Sequence, residues 1–152
     1  MDKDINIRLA EQKDLSVIVE FNLAMARETE EKNLEPAVLR RGVNNLFENR
    51  QDGFYVVADD ESRVVGSLMI TFEWTDWRDG FFWWIQSVYV LPDFRGRGVY
   101  RKLYAFIKGL AATDSRVRGF RLYVERENLT AQQVYRRLGM KETNYKMFEE
   151  LV

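Results

Sequence analysis

Apolar and polar positions change their period several times along the 152 residues, and each change marks an element. Residues 5–10, INIRLA, alternate as a short strand does. From about Lys13 to Glu31 the spacing becomes helical, through Leu15, Ile18, Val19, Asn22, Met25 and Ala26, and it runs out in the acidic stretch ETEEKNLE. Pro36 suits the first turn of a second helix, because it fixes φ where no backbone donor is needed. Leu39, Val43, Leu46 and Phe47 then recur on one helical face. A polar NRQD and Gly53 mark a turn. FYVVAD and RVVGSLMITFEW are β-rich runs separated by DES, the signature of a hairpin.

Asp79-Gly80 leads into FFWWIQSVYV (81–90), which is bulky at successive positions, as in a strand covered on both faces. After a basic turn, Val99, Leu103, Phe106, Ile107 and Leu110 form the clearest amphipathic helix in the chain. FRLYVE (120–125) predicts a strand. NLTAQQVYRRLGM predicts a helix closing on Gly139, and KETNYKMFEEL a last strand. There is no repeat, low-complexity tract or linker. The order β-αα-βββ-α-β-α-β predicts one α/β or α+β domain spanning 1–152, a mixed sheet flanked by helices.

Composition narrows the chemistry. The formal net charge is −1, so global attraction to nucleic acid or an anionic membrane is not expected, and any anion site must be local. The chain has neither cysteine nor histidine, which removes thiolate nucleophiles, imidazole catalysis and Cys/His zinc sites. No metal is expected. No apolar run approaches the roughly 18 residues that cross a bilayer, and no leader opens the sequence, so a cytoplasmic protein is the default.

The residues LPDFRGRGVYRKLY (91–104) gather four cations and two glycines between a buried-type strand and a helix. A glycine turn opening a helix aims backbone N–H groups at one point, and the helix dipole reinforces them. Arg95, Arg97, Arg101 and Lys102 add charge around Gly96 and Gly98. The turn is neither Gly-x-Gly-x-x-Gly nor a Gly-Lys-Ser/Thr loop, so dinucleotide and P-loop readings fit poorly. A second cluster lies at 127–140, where Asn128, Ala131 and Tyr135 fall within about 60° of one another on a helix. Asn128 suits a cap and Tyr135 a core position; the same stripe could also line a ligand.

Together these segments resemble the GNAT family of N-acetyltransferases. Arg95-Gly96-Arg97-Gly98-Val99-Tyr100 is similar to the family's Arg/Gln-x-x-Gly-x-Gly/Ala turn, with Tyr100 departing where Gly or Ala is usual. ENLTAQQVYRRLGM is similar to its Asn-x-x-Ala-x-x-x-Tyr-x-x-x-Gly-Phe/Met signature. The resemblance covers essentially the whole chain and implies a largely antiparallel central sheet. It also implies direct transfer of an acetyl group from acetyl-CoA to an amine, with no covalent enzyme intermediate.

By that resemblance the turn, including Val99 and Arg101, binds the pyrophosphate. Backbone groups of Val88, Tyr89 and Val90 pair with the pantetheine arm, and an amide near Val90 polarises the carbonyl. Asn128 hydrogen-bonds the arm, and Tyr135 protonates the departing thiolate. Diamine-acetylating members carry a Glu where this chain has Gln86, which cannot be a base; Gln86 then borders the acceptor.

Glu73, among Phe72, Trp74 and Trp77, is the substitute candidate for the base, beside its reading as an exposed strand-end carboxylate. Glu28, Glu30, Glu31 and Glu35 lie where the family borders its acceptor cleft. Glu28 and Glu31 are the candidates to recognise a small cationic amine, against the reading of a solvated acidic face. The tryptophans suit a core, a homodimer surface or an acceptor wall. A non-catalytic acyl-CoA-binding module and a protein or peptide N-acetyltransferase remain as alternatives.

Overall fold

The computed structural model describes residues 4–152, and these fall into a larger unit ending at Leu122 and a smaller one, Tyr123–Val152. The larger unit runs β1 (Asn6–Leu9), α1 (Leu15–Glu30), α2 (Pro36–Glu48), β2 (Gly53–Asp59), β3 (Val64–Thr75), β4 (Gly80–Val90), α3 (Val99–Ala111) and β5 (Val117–Arg121). Short 3-10 turns precede α1 and follow β4. The smaller unit holds α4 (Leu129–Arg137).

The sheet order is β1-β2-β3-β4-β5; the first four strands are antiparallel and β5 is parallel to β4. A parallel pair needs a long crossover, and α3 provides it. The β2–β3 hairpin is closed by Asp60, whose Oδ1 accepts from the backbone N–H groups of Ser62 and Arg63. Pro36 occupies the first turn of α2, as its missing N–H allows.

Helices α1 and α2 cover one face of the sheet, where Ile18, Val19 and Val43 pack with Tyr55 and Val57. The other face carries α3, which buries Val99, Leu103, Tyr104 and Ile107. Coverage on both sides explains why the consecutive residues Val56, Val57 and Ala58 are all fully buried. Each of the two valines contributes roughly 1.5–3 kcal/mol by leaving water, and the alanine methyl less. β1 is fastened by Arg8, which donates to both oxygens of buried Asp14 and, at 2.9 Å, to Asp59 on the neighbouring strand.

Two strand expectations differ from the structure. β5 forms at Val117–Arg121, so Leu122–Glu125 lie outside it. Gly119 is seated against the Phe82 ring, where a Cβ would come within 2.9 Å, and this contact helps fix the earlier register. Residues 141–152 contain no strand, and Tyr145, Met147, Phe148 and Leu151 are exposed. Alternating apolar residues supply a face but no hydrogen-bonding neighbour, and a strand exists only against a neighbour.

Candidate functional site

β4 leads through Pro92–Phe94 into the turn that opens α3. Gly96 and Gly98 both take left-handed backbone conformations, with φ of 74° and 77°. Nothing lies within 4 Å of the Cβ that either glycine lacks, so a side chain at either position would enter open space. No side chain caps α3, and its first turn contains no acidic residue. Its leading N–H groups and the positive end of its dipole therefore face an uncompensated space, which suits an anion. Arg97 lies over the Phe94 ring at 5.3 Å, and Arg63 from the β2–β3 hairpin lies over the same ring at 5.7 Å. Arg63 is a cation of this region that periodicity and motif did not disclose.

The strand before the turn is irregular in a useful way. Met69 pairs with Gln86 but Ser67 pairs with Tyr89, so Ser87 and Val88 together oppose the single residue Leu68. Ser87 takes a φ of 52°, an unusual conformation for a residue with a side chain. This bulge carries Gln86 and Tyr89 to the same face of the sheet, which strict alternation would have separated.

Leu91 N–H donates to Val65 C=O, so Tyr89 belongs to the hydrogen-bonded set facing β3, whereas Val90 turns its backbone groups away from β3. On that other side the ladder with β5 spans only Phe81 to Trp84. The edge of β4 from Ile85 to Val90 is thus open within the larger unit, apart from the Val90 carbonyl, which accepts from Arg95 at 2.8 Å.

Arg95 is committed further. Its guanidinium pairs with Glu28 of α1 at 2.8 Å and lies over the Tyr89 ring, while the Tyr89 hydroxyl donates to Glu28 at 3.1 Å. The Arg95 hydrogen bond holds the Glu28 carboxyl below its usual range, and burial, then Glu28, pushes the Tyr89 hydroxyl up. Glu28 thus ties the end of α1 to the end of β4. Glu30, Glu31 and Glu35 are exposed, and Glu31 forms the left-handed C-cap of α1.

Gln86 donates to Thr71 at 2.7 Å on the face covered by α1 and α2. Glu73 lies farther along that face. It accepts from Trp84 Nε1 at 2.8 Å and from Arg121 at 3.0 Å. Its strand partner is Phe82, so the bulge at Val88 lies six residues, about 20 Å of strand, away. Trp84 cannot relay a proton, since an indole N–H only donates. Trp74 and Trp77 are exposed and Trp83 is buried. Glu73 is ion-paired with Arg121, at a carboxylate that is itself partly exposed.

In the smaller unit, Asn128 caps α4 by accepting from the Ala131 N–H at 3.2 Å. Tyr135 lies one helical stripe along, is half-buried, and burial raises its hydroxyl above the ordinary tyrosine range. Gly139 ends the segment at a φ of 96°, as a helix-terminating glycine does. Among the described residues no group of acidic side chains could hold a metal ion, and no helix is long and apolar enough to cross a membrane.

A model of the acetyltransferase (GNAT) family matches residues 20–140. Among solved structures, a possible acetyltransferase from Clostridium difficile 630 is 43% identical, with 97% of each chain covered and a TM-score of 0.90. A predicted acetyltransferase with acetyl-CoA from Clostridium acetobutylicum is 20% identical over 97% of this chain and 96% of that one, with a TM-score of 0.78. AAC(6')-Iy in complex with a bisubstrate analogue, CoA-S-monomethyl-acetylneamine, is 18% identical over 98% and 99% of the two chains, at a TM-score of 0.77. No curated protein matches the chain.

Proposed function

The chain belongs to the GNAT family of acetyltransferases, and on that premise we propose that it moves an acetyl group from acetyl-CoA to the primary amine of a small cationic or amino-acid-like acceptor. The observation that carries this reading is the uncapped start of α3 behind the open Gly96–Gly98 turn, next to an edge of β4 that has no strand partner within the larger unit. The turn amides suit a diphosphate, and Arg97, Arg101 and Lys102 add charge at its rim. The free edge of β4 suits the amides of an extended pantetheine arm, and Val90 N–H, turned away from β3, suits a thioester carbonyl.

Acetyl-CoA supplies the activated acyl group; the rest falls to side chains. Asn128 orients the arm and the Tyr135 hydroxyl gives its proton to the departing thiolate, roles that rest on the family signature at 128–139. Burial favours the protonated phenol, which keeps that donor loaded at neutral pH. An alkylammonium near pKa 10.4 is less than about one part in a thousand neutral at pH 7, so its proton needs an acceptor. Water at the Gln86–Thr71 pair fits better than Glu73, whose oxygens are engaged by Trp84 and Arg121. Glu28 acts chiefly by holding Arg95 and Tyr89, and Glu31 remains the carboxylate available to an ammonium group.

Gly98→Val tests the site. A β-branched side chain at φ 77° is strained and fills the open turn, so acetyl-CoA binding should be lost while the fold survives. Pantetheine, lacking the diphosphate, should bind the wild type far more weakly than CoA. Equal affinities for the two would overturn the assignment. Turnover with polyamines, amino acids, aminoglycosides and peptides then ranks the acceptor class, and activity on peptides alone would replace the small amine.

A further inference from the structure

A cavity of about 310 Å³ opens in the larger unit, between the ends of β1 and α2, the start of β2 and the last turn of α3. It exists because β1 stops at Leu9, opposite Val56, leaving Gly53 and Phe54 of β2 without a strand neighbour on that side. Its size is at the lower end of ligand pockets, which run from about 300 to 1,000 Å³. Phe47, Phe54 and Trp83 contribute aromatic walls, and Phe54 meets Trp83 edge-on at 5.4 Å.

Two polar groups on the lining have no use inside the fold. Tyr55 is 6% exposed as a residue, and its hydroxyl, which is not sealed from solvent, makes no hydrogen bond among the described residues. A hydroxyl that lines the cavity without a protein partner can donate to, or accept from, what enters it. Arg50 follows the end of α2, is exposed, and makes no ion pair among the described residues. Asp114, also on the lining, is occupied by Arg116, which donates to it from its backbone at 2.9 Å and pairs through Nε at 3.5 Å. An apolar chamber holding an unpaired hydroxyl and a free guanidinium is built to take an apolar body with an anionic head.

We infer that this cavity binds a small monocyclic aromatic carboxylate, its ring among Phe47, Phe54 and Trp83 and its carboxylate between the Arg50 guanidinium and the Tyr55 hydroxyl. The site is separate from the glycine turn. α3 has 13 residues and its two ends serve the two sites, which puts about 20 Å between them at 1.5 Å per residue. The inference therefore stands or falls independently of the acetyl-transfer reading.

Calorimetric titration of the full chain with phenylacetate, and in parallel with uncharged 2-phenylethanol, tests it. Phenylacetate should saturate one site, and 2-phenylethanol should bind about tenfold more weakly or worse, the scale of one charge-assisted hydrogen bond. Arg50→Gln should weaken phenylacetate by a similar factor, and because Arg50 is exposed this variant keeps its fold. Tyr55→Phe, checked for an unchanged melting profile near neutral pH, should weaken it severalfold. Saturating CoA should leave phenylacetate binding in place. No saturation at millimolar phenylacetate, equal binding of the uncharged analogue, indifference to Arg50→Gln, or displacement by CoA would each overturn the inference.

Discussion

On the proposed reading, Tyr135 is the proton donor, and Glu28 and Glu73 hold neighbouring side chains in position. Tyr135→Phe should lower kcat by on the order of 10²-fold, the usual scale for loss of a general acid, with little change in acetyl-CoA affinity. Steady-state kinetics with the best amine of the panel measures both. Because burial raises the Tyr135 hydroxyl above its ordinary range, the wild-type kcat should hold as pH rises to about 10, with loss only beyond. Glu73→Gln should leave the shape of the pH–rate profile unchanged, since Glu73 is tied to Arg121 and Trp84. A shift of that profile to higher pH would restore Glu73 as the base. Neither the Glu73–Arg121 pair nor the Glu28–Arg95 pair was legible in sequence, because each joins residues 48 or 67 positions apart.

At the scale of the element, the decisive feature is the bulge in β4. Strict alternation would have set Gln86 and Tyr89 on opposite faces, and one extra residue puts them on the same one. Ser87 bears the conformational cost at φ 52°. Ser87→Gly should keep activity, because glycine enters that region freely. Ser87→Val should cost about 1–3 kcal/mol in stability and raise KM for acetyl-CoA, by driving the strand toward regular pairing. Urea unfolding and initial-rate kinetics check the two effects. Normal KM in Ser87→Val would separate the bulge from cofactor binding. The helix α3 was plain in sequence because its apolar stripe repeats over 13 residues, whereas a bulge leaves composition and periodicity almost unchanged.

For the whole molecule, the Arg8 cluster ties β1 to the turn before α1 and to β2, and through Asp14 it makes stability depend on acid pH. Burial pushes Asp14 up, but the Arg8 hydrogen bonds and the Glu11 N–H outweigh it, so the carboxyl titrates below its ordinary value. A depressed folded-state pKa means stability that is complete above the unfolded value near 4 and lost as pH falls through the folded one. Arg8→Met leaves that buried charge unpaired and should cost about 3 kcal/mol at neutral pH. It should also flatten or invert the acid dependence, since burial alone would raise Asp14. Thermal unfolding between pH 3 and 7 measures the slope; a wild-type slope in the variant would relieve Asp14 of this role.

The sequence by itself determined the order of elements through α4, the glycine turn that opens α3 and the exclusion of thiol and imidazole chemistry. These are properties of local spacing and of residue type, which need no neighbour to be read. Tertiary structure decided where β5 begins, that 141–152 form no strand, that Glu73 faces Arg121, and that β1 ends early enough to leave a cavity beside Tyr55. Each of these depends on which backbone edge or charge arrives from a distant part of the chain, and a one-dimensional pattern carries no record of that arrival.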